Sequence, residues 1–151
     1  MRQVVLSGAL ASLCSAAALA LCGQIERGTW AGPNNGPSQW IWGRHAAYRR
    51  RASLRYTLVG YGIHHTMATG WAWLHEAVFG ARKREQTPVE RLVRAAVTSG
   101  TAAFVDFQIT PRRLQPGFDA QLSRTSLFVV YAAFAIGLAL RATPGARGSG
   151  R

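Results

Sequence analysis

Four long apolar runs, separated by short segments rich in arginine, constrain this chain more than any other feature. They cover approximately residues 4–22, 54–80, 88–109 and 122–140. Each run has close to the ~20 residues that an α-helix needs to cross the hydrocarbon core of a bilayer. Because backbone groups in hydrocarbon must be hydrogen-bonded within their own segment, we expect helices. The sequence therefore predicts an all-α fold, a single four-helix transmembrane bundle over residues 1–141, followed by a disordered tail over residues 142–151.

The positive charge of the chain lies almost wholly between these runs. Lys and Arg number 18 against 6 Asp and Glu, which gives a formal net charge of +12. In a soluble chain this balance would indicate nucleic-acid binding, but no RNA- or DNA-binding motif is present. Basic residues beside apolar runs instead anchor helices at anionic lipid headgroups. We therefore expect the lipid bilayer, with its anionic headgroups, as a partner, and no nucleic acid.

The positive-inside rule assigns no orientation to this chain. A four-span chain has both termini on one side of the membrane, and the rule compares the basic residues on the two sides. Nine lie on the side of the termini and nine on the other. Both orientations therefore stay open.

The first run has two interpretations. Arg2 ahead of it and Ala18-Leu19-Ala20 near its end fit a cleaved secretory signal peptide. A stripe of small residues favours a retained helix instead, because such a stripe lets one membrane helix approach another closely. The stripe comprises Gly8, Ser12, Ala16 and Ala20. Together with Ala133 and Gly137 in the fourth run, it also suggests a homo-oligomer or a membrane-protein partner.

Capping residues and prolines set the boundaries of the third run. Thr87 and Glu90 have the spacing of a capping box, and Pro88 suits the first helical position, so the third helix should begin near Pro88. Thr110-Pro111 should end it. A turn is expected at Pro116-Gly117 in the basic connection to the fourth run.

An aromatic and basic segment precedes the second run. Trp40, Trp42 and Tyr48 lie beside arginines, which is typical of a segment at the level of the lipid headgroups. We expect Ser38 to cap a short interfacial helix over residues 39–50.

The second run carries polar side chains that would be costly to expose to lipid. At 100° per residue they fall in one sector of less than half the helix circumference. They include His64, His65, His75 and Glu76. We expect this sector to face a neighbouring helix, and the opposite sector, with Ile63, Met67 and Trp71, to face lipid.

The third run carries one carboxylate, Asp106, on a face of small residues. If the second and third helices are antiparallel neighbours, His64 and Asp106 each lie about 24–27 Å from the loop that joins them. Two polar layers are therefore predicted. The layer remote from the loop comprises His64, His65 and Asp106. The layer near the loop comprises His75, Glu76, Arg91 and Arg94, with Glu76 paired to one of the two arginines.

These layers have a structural and a functional interpretation. Paired polar groups can fix the register of the helices without any further role. A His–carboxylate pair can instead relay protons, because imidazole titrates near physiological pH. A metal site is not expected, because His64 and His75 are about 16 Å apart and one ion cannot collect three ligands from this helix.

Signatures of catalysis are absent from the sequence. The sequence contains no GxSxG motif, no HExxH motif and no glycine-rich phosphate loop. We therefore expect a non-enzymatic membrane protein with a structural or interaction role, without catalytic residues, metal or cofactor. The alternative is a small proton- or ion-conducting, or redox-linked, membrane subunit that uses an intramembrane His–Asp pair.

Three segments also carry a family resemblance. They are NNGPSQWIWGRHAAYR (residues 34–49), TLVGYGIHHTMATGWAWLHE (residues 57–76) and DFQITPRRLQPGF (residues 106–118), about a third of the chain. They are similar to segments of small uncharacterised multi-pass inner-membrane proteins of proteobacteria. The resemblance implies location in a bacterial inner membrane, and it implies no reaction, ligand or catalytic residue.

Overall fold

The long helices of the structure coincide with the apolar runs of the sequence. The computed structural model describes residues 2–80 and 87–140, and these residues form helices without a β-strand. The long helices are α1 (Arg2–Arg27), α4 (Val59–Phe79), α5 (Pro88–Phe104) and α6 (Arg124–Ala139). Two short helices, α2 (Ala31–Asn35) and α3 (Gln39–Trp42), lie between α1 and α4. The all-α prediction is confirmed for this part of the chain, while the predicted tail lies outside it.

Two π-helical turns extend the long helices at their boundaries. One, Leu54–Leu58, leads into α4, and the other, Val105–Ile109, continues α5 and carries Asp106. Each turn adds five residues to its helix, so the helical segments nearly equal the predicted runs of 54–80 and 88–109.

Length and apolar composition together single out one helix as a candidate membrane span. Among the described residues, α1 meets both criteria, as would the core helix of a soluble protein or a signal sequence. Helix α6 is also apolar but has 16 residues. The structure thus supports one candidate span, and the four-span arrangement is taken up below as a proposal.

The predicted start of the third helix is confirmed. The Thr87 hydroxyl accepts a hydrogen bond from the Glu90 backbone N–H at 3.2 Å, and the Glu90 carboxylate accepts one from the Thr87 N–H at 3.0 Å. Pro88 occupies the first turn. The turn at Pro116-Gly117 also forms, since Gly117 has a φ of +80°, which only glycine adopts without strain.

Helix α1 lies at the centre of the arrangement. It packs along α4 on one side and along α6 on the other, while α5 packs on α6. The approach is close where glycines meet the neighbouring backbone: a Cβ added to Gly8 would lie 2.8 Å from Thr69 Cα, and one added to Gly137 would lie 2.5 Å from Ala11 Cα. The small residues expected to support oligomerisation therefore serve packing within the chain, at least at Gly8, Ser12 and Gly137, which are buried.

The segment between α1 and α4 forms a cap layer, residues 31–48, over one end of the helices. Residues 31–39 are all buried. Asn35 links the layer to the segment that follows: its side-chain amide N–H donates to the Arg49 and Arg51 carbonyls at 2.9 and 3.1 Å, and its carbonyl accepts from Thr57 Oγ1 at 2.7 Å.

The predicted interfacial helix over residues 39–50 is wrong in extent. Helix α3 ends at Trp42 because Gly43 has a φ of +81°, outside the helical region, and a 3₁₀-helix over Arg44–Tyr48 follows. Ser38 does not cap α3, since its hydroxyl donates to the Asn35 carbonyl at 2.7 Å.

Candidate functional site

The polar sector of α4 faces α1. His64 Nε2 lies 2.8 Å from Ser15 Oγ, and the Ser7 hydroxyl donates to Glu76 Oε1 at 3.5 Å. Ser12 lies between these serines on α1 and is fully buried. The expectation that the sector faces a neighbouring helix is thus correct, but the main neighbour is α1 and not α5.

Asp106 has a different partner from the one predicted. Its Oδ2 accepts a hydrogen bond of 2.6 Å from the Tyr131 hydroxyl of α6. The predicted pairing of His64 or His65 with Asp106 is therefore wrong. His64 binds Ser15, and His65 Nδ1 is buried without a hydrogen-bond partner within the described chain.

The error lies in the direction of the side chains and not in their depth. Ile63, one residue before His64, lines the same cleft as Asp106, so this part of α4 is level with the carboxylate. Met67 and Trp71, expected to face lipid, also line that cleft. Because His64 contacts Ser15 on the serine-rich face of α1, α4 turns its apolar face towards Asp106.

The second predicted layer also differs. His75 Nδ1 lies 2.8 Å from Thr98 Oγ1 of α5, so the contact between α4 and α5 is made there by a histidine and a threonine. The Arg94 guanidinium donates to the Phe79 carbonyl at 3.5 Å and lies 5.8 Å from the centre of the Phe79 ring. Between described residues, neither Arg94 nor Arg91 pairs with Glu76, and Arg91 Nε is buried without a partner.

A cleft opens between α4 and α5 beyond the His75–Thr98 contact. It contains about 550 Å³ of empty space, including its mouth. Its lining comes from α4, α5, α6, the cap layer and the turn after α5, but from no described residue of α1. Asp106 and Tyr131 are the hydroxyl- or carboxyl-bearing side chains in a wall that is otherwise apolar and aromatic.

Tyr131 is the functional candidate that the sequence prediction missed. It packs edge-to-face on Phe107, with ring centres 6.0 Å apart, and its hydroxyl reaches Asp106. A signal was present in the sequence, because Tyr131 is the one polar side chain between residues 127 and 140. A lone carboxylate in one apolar run and a single phenol in another are natural partners.

Glu26 makes a further polar contact that joins α1 to α6. Its carboxylate accepts from the Ser123 backbone N–H at 2.9 Å and from the hydroxyls of Ser123 and Ser126. These hydrogen bonds, first those of the Ser123 and Ser126 hydroxyls, hold the pKa of the Glu26 carboxyl below its ordinary value. The contact closes the start of α6 against the end of α1.

Ligand-binding chemistry is limited by the donor set. The described residues contain no group of three or more His, Cys, Asp or Glu side chains that could hold a metal ion. The chain matches no family model, no curated protein and no solved structure. The resemblance to proteobacterial inner-membrane proteins therefore stays a prediction.

Proposed function

We propose that this chain is a non-enzymatic integral protein of the bacterial inner membrane, with α1, α4, α5 and α6 embedded in the bilayer. The observation that carries the proposal is the apolar exterior of the long helices. Large apolar side chains on these helices face outward: Phe128 is 75% exposed, Trp73 63% and Val97 55%. Between the helices, serine, threonine and histidine side chains are buried together with alanine, leucine and phenylalanine. Water would penalise such an exterior, whereas lipid would not.

Helix α1 is proposed to be a permanent part of the protein and not a cleaved signal peptide. It supplies the serine partners of His64 and Glu76, and its backbone contacts Gly137 of α6. Removing α1 would leave these polar groups of α4 facing hydrocarbon, which is costly. The packing therefore favours the retained helix.

The cap layer is proposed to lie at the level of anionic headgroups. The Arg55 guanidinium lies 4.4 Å from the centre of the Trp42 ring, and the Arg49 guanidinium lies 5.6 Å from that of Tyr56. Aromatic and basic side chains together are typical of membrane interfaces. Both pairs are close to the start of the α4 helical segment, where that segment would leave the hydrocarbon.

The molecular role that fits this architecture best is structural or interaction-based. The polar groups between helices form one-to-one contacts, His64 with Ser15 and Asp106 with Tyr131. Such contacts fix helix register and need no reacting group. The protein would then act by presenting a defined helical surface to lipid or to another membrane protein.

Alkaline carbonate extraction tests the membrane proposal. Membranes from cells that express the full chain are washed with carbonate, and the protein is followed in pellet and supernatant. Retention in the pellet, with residues 2–27 still present by mass spectrometry, is the expected result. Release into the supernatant would refute the membrane proposal. Recovery of protein from which the cell has removed residues 2–27 would refute the permanent role of α1.

A proton relay is the second candidate function, now along the seam between α1 and α4. Ser7, Ser12 and Ser15 form a buried row of hydroxyls with Glu76 at one end and His64 at the other. Ser12 Oγ has no hydrogen-bond partner in the described chain, so it is free to join a relay. Vesicles that contain the protein should dissipate a pH gradient faster than empty vesicles, and His64→Ala should abolish the difference. Equal rates with and without the protein would eliminate this candidate.

A further inference from the structure

Asp106 presents a carboxylate to an apolar cleft that supplies no positive charge to balance it. The described residues that line the cleft include no Lys, Arg or His, and the hydrogen bond from Tyr131 comes from a neutral hydroxyl. An ionised carboxylate among apolar groups is unfavourable unless a proton or a bound cation compensates its charge. The cleft therefore has an electrostatic preference for a cation.

The walls of the cleft favour a particular kind of cation. Five aromatic side chains line it, Trp40, Trp71, Phe118, Tyr131 and Phe134. The faces of aromatic rings attract cations, tryptophan most strongly, and aromatic cages in proteins recognise quaternary ammonium groups. The Trp40 indole N–H donates to the Gln115 carbonyl at 3.2 Å, so its polar atom is already satisfied and its ring is held in place.

Inorganic ions fit this lining poorly. Calcium and magnesium ions need six or more oxygen ligands, and the side chains of the cleft offer oxygens from Asp106 and Tyr131 alone within the described chain. An anion would be repelled by the carboxylate. An apolar molecule without charge would fit only beside a carboxyl group that has bound a proton.

We infer that the cleft between α4 and α5 binds a hydrophobic organic ammonium ion. Its positive nitrogen lies at Asp106, and its apolar substituents contact Trp71 and Phe134. Met67, 41% exposed, borders the cleft with a flexible side chain that can adapt to ligands of different shape.

Asp106 lies in the π-helical turn Val105–Ile109 that ends the α5 segment. The inference goes beyond the proposed membrane role and does not depend on it, because carbonate extraction tests location alone and ligand binding tests the cleft alone.

Equilibrium binding of benzyltrimethylammonium to the full chain in non-ionic detergent tests the inference. Saturable binding is expected, with none for benzenesulfonate, an aromatic ion of opposite charge. Asp106→Asn keeps the size of the side chain and an acceptor for Tyr131, and should weaken binding about tenfold, because it removes the negative charge that attracts the ammonium ion. Glu90→Gln is the matched control, because Glu90 lies in the first turn of α5, outside the cleft, and glutamine can replace glutamate in a capping box; this variant should bind as the unaltered protein does.

Three outcomes would overturn the inference: no saturable binding to the unaltered protein, equal binding of benzenesulfonate, or unchanged affinity in Asp106→Asn. Thermal unfolding of each variant is measured first. If Asp106→Asn fails to fold, Trp71→Leu decides the matter instead. It should weaken binding about fivefold through loss of a cation–π contact, and unchanged affinity in a folded Trp71→Leu protein would refute the site.

Discussion

Gly137→Ala should destabilise the protein because α6 touches the backbone of α1 at this position. The added Cβ would lie 2.5 Å from Ala11 Cα and 2.7 Å from the Leu10 carbonyl oxygen. Real Cβ atoms essentially never come so close to other atoms, and both contacts are with backbone, which cannot rotate away. The two helices must therefore move apart, and overpacking of this kind costs about 1–3 kcal/mol.

Gly100→Ala on α5 is the matched control. Gly100 is also helical, but a Cβ there would meet nothing within 4 Å. Alanine has a higher helix propensity than glycine, so this variant should gain up to about 1 kcal/mol. Because Gly137→Ala gains the same propensity, the clash alone should separate the two variants by about 1–3 kcal/mol.

The assay is reversible unfolding of both variants and the unaltered protein in the same detergent, followed by circular dichroism. We expect Gly100→Ala to be as stable as the unaltered protein or more stable, and Gly137→Ala to be less stable than Gly100→Ala. Equal free energies of unfolding for the two variants would refute the close contact of α1 with α6, and with it the central place of α1 in the fold.

Three further predictions concern the polar contacts. Ser15→Ala removes the partner of His64 and should lower the free energy of unfolding by about 1 kcal/mol. In a His64→Ala background the same substitution should cause no further loss of stability, and an equal loss there would contradict the pairing. Tyr131→Phe removes the hydroxyl that donates to Asp106. It should lower the free energy of unfolding by about 1–3 kcal/mol, since it leaves a carboxylate in the cleft without its donor. An unchanged free energy of unfolding would count against that hydrogen bond. Glu26 has a pKa held below its ordinary value near 4.5, so its contacts stabilise the fold above that value and lose this effect as the pH falls through the lowered pKa. Glu26→Gln should therefore be destabilising at pH 7 and much less so in acid, and an effect independent of pH would refute the role of the charge.

The extent of the long helices could be predicted from the sequence because it depends on local features. Apolar runs, the Thr87–Glu90 capping box and the break at Thr110-Pro111 set the helix ends within a few residues of those observed. Helix α2 escaped prediction because its sequence, AGPNN, is rich in turn residues. Pro33 is tolerated there because it lies in the first turn, where its missing N–H has no intrahelical partner to lose.

The partners of the polar side chains could not be predicted, because they depend on which helices become neighbours. Periodicity correctly grouped His64 with Glu76 on one sector of α4, but the short connection between α4 and α5 suggested the wrong main neighbour. The serines of α1 look like ordinary small residues of an apolar run. Their hydroxyls gain significance only when the fold sets them opposite the histidine.

Accessibility of single cysteines in native membranes tests most directly whether lipid covers the apolar exterior of the long helices. Phe128→Cys and Val97→Cys place a thiol at positions that the fold exposes, 75% and 55% respectively, while Asp119→Cys places one on an exposed turn next to the cap layer. In unsealed membranes from a background without Cys14 and Cys22, a membrane-impermeant maleimide should label Asp119→Cys. It should label the other two only after the protein is denatured in detergent, because lipid covers their face of the helices. Rapid labelling of Phe128→Cys and Val97→Cys in intact membranes would place those faces in water and contradict the account.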